Sequence, residues 1–64
     1  MPGDPNECRE RARECLGLAR AARAPEQRQF LTNLAQRWLS LATDIEMANT
    51  LLEAYPPEQS TNAR

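Results

Sequence analysis

The chain contains no histidine, no lysine and no valine, and a single isoleucine, Ile45. Each absence removes a class of structure or chemistry. With Val missing and Ile present once, there is almost no β-branched apolar material to cover a pleated strand surface. With no His and only two cysteines, Cys8 and Cys15, a structural zinc site has no ligand set, and there is no Cys-x-x-Cys spacing. The two thiols are seven residues apart, which on a helix is roughly 10 Å along one face, too far for a bond between them. A chain of 64 residues has a thin core and commonly needs a disulfide, a metal or oligomerisation to stabilise it. Oligomerisation is what remains.

Other features are scarce as well. No apolar run approaches the length of a membrane span, and no N-terminal basic-plus-apolar stretch reads as a signal peptide. Two unpaired thiols fit a reducing compartment, so the expected setting is cytoplasmic, with no membrane partner. A formal net charge of −1 gives no global field to recruit nucleic acid or an anionic surface. All eight basic residues are Arg, and there are ten Ala, a usage that points to a GC-rich bacterial genome.

What is present is helical. Asp4-Pro5-Asn6-Glu7 predicts a helix start: Asp4 as the cap, Pro5 in the first turn, and Glu7 three residues on, able to bond back. From there Cys8, Ala12, Cys15, Ala19 and Ala22 recur at helical spacing as a narrow stripe of small residues, suited to close approach by another helix. Glu7, Glu10 and Glu14 lie on one flank, and Arg9, Arg13 and Arg20 on the other. Glu7 and Arg11 make a favourable i,i+4 pair. Gly17 lies opposite the stripe, with no packing reason for its being glycine.

Pro25 ends the first pattern, because the residue before a proline leaves the helical region, and Pro25-Glu26 opens a second helix. Ala24 is a poor cap for it. Pro56-Pro57 stops this helix near Tyr55, and the polar stretch 58–64 is expected to be a disordered tail, leaving 1–57 as the hairpin. The second helix carries four heptads. Leu31, Trp38, Ile45 and Leu52 fall at position a; Leu34, Leu41, Ala48 and Tyr55 fall at position d. Ala35 and Ala42 widen this face on one side, and Phe30 and Leu51 on the other. Such a face is wider than one helix covers.

Helix one, about 5–23, spans roughly 28 Å, and helix two, about 25–55, roughly 46 Å. In an antiparallel hairpin the last third of helix two therefore overhangs. It holds Ile45, Met47, Ala48, Leu51, Leu52 and Tyr55, and each Ile or Leu gains about 1.5–3 kcal/mol by burial. The expected fold is an all-α, antiparallel two-helix hairpin assembling into a homodimeric four-helix bundle. Its self-association interface is expected at Leu31, Leu34, Trp38, Leu41, Ile45, Ala48, Leu51, Leu52 and Tyr55.

Little in the chain reads as chemistry. Cys8 and Cys15 fit small core positions better than redox centres. Glu7, Glu10 and Glu14 form a solvated flank, and a two-helix chain encloses no cleft for acid/base work. Asp44 and Glu46 sit beside the seam of helix two, where charges set pairing register. No catalytic, cofactor or metal residues are expected, and no cofactor is implied. Doubled by dimerisation, the Arg9, Arg13 and Arg20 stripe offers a weaker alternative, a small RNA- or DNA-binding bundle. No aromatic residue interleaves with these arginines for base stacking, and the glutamate flank dilutes their field.

Residues 8–42 also carry a pattern: Cys15-Leu16-x-Leu18-Ala19-x-x-Ala22-x-x-Pro25-x-x-Arg28-x-x-Leu31-x-x-Leu34-Ala35-x-x-Trp38-x-x-Leu41-Ala42. It resembles a widespread set of short, mostly uncharacterised bacterial proteins, chiefly alphaproteobacterial. Members commonly place an acidic residue before the proline, where this chain has Ala24. The resemblance implies a helical hairpin in a bacterial cytoplasm and carries no activity with it. The expected role is a non-enzymatic interaction or structural protein, whose partner is its own copy or a second protein.

Overall fold

The computed structural model describes residues 4–55, which form two α-helices, α1 (Pro5–Ala21) and α2 (Pro25–Ala54), packed as a hairpin. The expected tail, 58–64, lies outside the described residues. Both helices end slightly earlier than the sequence pattern suggests, with 17 and 30 residues, or about 26 and 45 Å.

The start of α1 is built as its first residues require. The Asp4 Oδ1 accepts a hydrogen bond from the Asn6 backbone N–H at 3.0 Å, and the Asp4 carbonyl accepts from Cys8. Pro5 occupies the first turn, where its missing N–H costs nothing. Glu7 does not close the cap; its carboxylate lies 3.7 Å from Arg11 instead. At the other end Ala22 leaves the helix in an extended conformation, and its N–H bonds to the Ala19 carbonyl. Ala24, also extended, precedes Pro25 and offers no side-chain cap to α2. Arg28 reaches back to the Ala22 carbonyl at 3.0 Å and so ties α2 to the connection.

The core is a seam of small side chains. Cys8, Ala12, Cys15 and Ala19 are buried on α1, and Ala35 and Ala42 on α2. Among the described residues, no large side chain is fully buried. Ala12, Ala35 and Ala42 retain 1% exposure each, so the helix surfaces meet with almost no space between them. Leu34 and Trp38 pack against the cluster of Ala12, Cys15 and Ala35 from the side. Positions 35 and 42, one heptad apart, thus lie at the centre of the seam rather than widening it. α1 rests on the a/e side of α2 and leaves the d side open.

The axial register is that of the seam, in which Ala12 and Cys15 of α1 cluster with Ala35 of α2, and Arg9 of α1 pairs with Glu46 of α2 beside it. Counting back from that cluster, α1 begins level with about residue 45 of α2, and residues 46–55 are all exposed. Ile45, expected in the uncovered end, is half-buried at its edge. The rest of the overhang is as the sequence suggests, with Met47, Ala48, Leu51, Leu52 and Tyr55 exposed. Exposed apolar surface also continues along the side of α2.

Two substitutions test this packing. A Cβ added at Gly17 meets nothing within 4 Å, so Gly17→Ala is expected to raise stability by about 0.4–1 kcal/mol in urea unfolding at fixed protein concentration. Ala35→Leu forces the helices apart and is expected to cost roughly 1–3 kcal/mol in the same measurement.

Candidate interaction surface

Along α2, residues three and four apart share a face, and successive heptads drift by only about 20°. Once α1 occupies the side of Ala35 and Ala42, the next face round carries Phe30, Leu34, Leu41, Ala48, Leu52 and Tyr55. Leu34 is half-buried at its inner margin. Leu41 is 43% exposed, Leu52 53%, Phe30 63% and Tyr55 73%, and Ala48 is exposed too. The row runs the length of the helix. Singly exposed leucines are ordinary on protein surfaces, but an apolar row at heptad spacing has the form of a helix-packing seam.

The nine residues expected to mediate self-association divide between the two faces. Leu31, Trp38 and Ile45 are half-buried on the side toward α1, and Trp38 packs against the hairpin core. Leu34 belongs to both faces. Leu41, Ala48, Leu52 and Tyr55 stay exposed on the open side, and Leu51, 48% exposed, lies at its outer margin. The hairpin thus uses one half of the apolar face and leaves the other. Leu18 on α1 and Leu39 and Met47 on α2 are also exposed, outside this row.

Charges near the row fall into two groups. Glu46, expected to set register, pairs within the chain with Arg9, which also donates to the Asn6 Oδ1 at 3.2 Å. Both side chains of the Arg9–Glu46 pair remain more than a third exposed, so the pair contributes at most about 1 kcal/mol, screened by salt. Asp44 and Arg37, exposed on the outer margin of the row, make no ion pair among the described residues. Sequence reasoning picked out Asp44 and missed Arg37. The signal lay in the seven-residue spacing between them.

On α1 the arginine stripe is less uniform than it reads. Arg9 is engaged by Glu46, while Arg13 and Arg20 are exposed and outside the ion pairs of the described residues. Arg11 lies between Glu7 and Glu14, 3.1 Å from the latter. Its hydrogen bond to Glu14, reinforced by the nearby carboxylates, raises its pKa and holds it charged. Glu7 and Glu14 are thereby tied up in surface pairs rather than directed at a common point.

Cys8 and Cys15 are free thiols within the helix–helix seam. Among the described residues, no three His, Cys, Asp or Glu side chains gather in a metal-binding group, and no helix is long and apolar enough to cross a membrane. The seam position of the thiols is expected to make both react slowly with an aromatic disulfide reagent in native buffer and fast in denaturant. Rapid native reaction at either cysteine contradicts that burial.

Comparison of the chain with protein-family models, with curated proteins and with solved structures returns no match.

Proposed function

We propose that the protein is a non-enzymatic interaction module that self-associates through the open face of α2, two hairpins forming a homodimeric four-helix bundle. The observation that supports this reading is the apolar row left by α1: Leu41, Ala48, Leu52 and Tyr55, with Phe30 at its start. Covering these side chains gains about 1.5–3 kcal/mol for each large one fully buried, proportionately less for those already half-covered. A hairpin whose own core holds no fully buried large side chain draws much of its stability from such a contact.

The non-enzymatic reading follows from the placement of the reactive groups. The thiols lie inside a small-residue seam, and Glu7 and Glu14 lie against Arg11 at the surface. Among the described residues, these thiols and carboxylates are not brought together as a nucleophile and a base. Two unlinked thiols, together with the resemblance of residues 8–42 to short bacterial proteins, support a reducing bacterial cytoplasm as the setting.

Sedimentation equilibrium at micromolar concentration tests the proposal. The wild-type chain is expected to sediment as a dimer. Leu41→Asp is expected to give a monomer with reduced helix content, whereas Glu10→Asp, on an exposed flank of α1, leaves the dimer intact. A stable, fully helical wild-type monomer contradicts self-association and leaves a different protein as the partner of this face.

A further inference from the structure

We infer that the second copy lies antiparallel on α2, with the twofold axis beside Leu41, and that Arg37 of each chain pairs with Asp44 of the other. This inference rests on the self-association proposed above and specifies its geometry.

Two charged side chains beside the row have no ion-pair partner among the described residues. They are Arg37 and Asp44, exposed on the same margin of the apolar row. Their own helix offers them nothing. The residues three and four away from Arg37 are Asn33, Leu34, Ser40 and Leu41, and those around Asp44 are Ser40, Leu41, Met47 and Ala48. None is charged, so the usual i,i+3 and i,i+4 pairing is closed to both. Arg37 and Asp44 are themselves seven residues apart, about 10 Å along the helix, too far to meet directly.

Their positions are nearly symmetric about Leu41, Arg37 four residues before it and Asp44 three after. The apolar residues of the row share this symmetry. Leu34 and Ala48 lie seven residues to either side of Leu41, and Phe30 and Leu52 lie eleven to either side. A twofold axis beside Leu41 therefore sets Leu34 against Ala48 of the copy, Phe30 against the Leu51–Leu52 end of the copy, and Arg37 against Asp44. Each of these oppositions is apolar on apolar or opposite in charge. That self-complementarity is what an isologous interface requires, and it selects a second copy over an unrelated helix.

A parallel pair lacks this complementarity. Its twofold runs along the helices and carries Arg37 and Asp44 of the copy to the opposite side of the seam, so neither charge meets an opposite one. Parallel pairing also leaves the two ends of the row apart. Near the start of α2, Glu26, Gln27, Phe30 and Leu31 line a shallow hollow of mainly apolar surface, while the exposed Leu51, Leu52 and Tyr55 lie at the far end. Antiparallel pairing brings each overhanging end toward the hollow of its partner. Glu46 lies beyond the α1 contact, about 140° round the helix from Leu41, and is held by Arg9, so it does not compete for Arg37.

Charge reversal tests the register by sedimentation equilibrium, with far-UV circular dichroism as the check on folding. Arg37→Asp and Asp44→Arg are each expected to weaken the homodimer by about tenfold or more, because each converts two opposite-charge oppositions into two like-charge ones. An equimolar mixture of the two variants is expected to recover dimer, and so is the doubly reversed chain Arg37→Asp/Asp44→Arg, whose pairs are complementary again. If the wild type is dimeric but both single reversals are harmless, the register is overturned while self-association stands. If the singles weaken the dimer and the doubly reversed chain does not recover it, the Arg37–Asp44 pairing is likewise overturned. A monomeric wild type overturns both readings.

Discussion

The structure depends on one contact, the close approach of the small-residue stripe of α1 to Ala35 and Ala42 of α2. Cys8, Ala12, Cys15 and Ala19 project little beyond the backbone, so the two helices come together until almost no exposed surface remains at the centre of the seam. Such a seam gains van der Waals contact along its whole length but buries little apolar area per residue. A larger side chain at its centre holds the helices apart and forfeits that contact. The large apolar residues of α2 are consequently displaced to the flanks, where one helix cannot cover them all.

That displacement links the fold to the proposed role. Trp38, Leu31 and Ile45 lean over the edge of the seam and are half-buried there. Leu41, Leu52 and Tyr55 face away from α1 and stay exposed. The same small-residue contact that closes the hairpin leaves a second seam open beside it. Charges separate along the same line. Glu46 is used inside the chain, paired with Arg9 of α1, whereas Arg37 and Asp44 stand at the margin of the open seam without ion-pair partners among the described residues.

Much of this was legible in the sequence. Asp4, Pro5, Pro25 and the heptads gave both helices to within about two residues, and the stripe from Cys8 to Ala19 announced a close packing surface. The apolar positions of α2 were recognised as too many for one partner. Which of them would face α1 was not read correctly. A heptad pattern draws attention to its large residues at a and d, but a stripe of alanine and cysteine packs best against other small side chains. Those are Ala35 and Ala42, spaced by seven like the large residues. The overhang was read closely: Met47, Ala48, Leu51, Leu52 and Tyr55 are exposed, and Ile45, at its edge, is half-buried. The Arg9–Glu46 pair was the other omission, because neither helix announces it on its own. Arg37 went unremarked because its opposite charge lies a full heptad away.

α2 carries two apolar seams, one closed by α1 and one proposed to close between chains. An isotope-filtered nuclear Overhauser experiment on an equimolar mixture of labelled and unlabelled protein tests this division most directly. Interchain contacts are expected from the methyl groups of Leu34, Leu41 and Leu52, and none from those of Ala35 and Ala42, which should contact only their own α1. Interchain contacts from Ala35 or Ala42, or their complete absence from Leu41, would contradict the account.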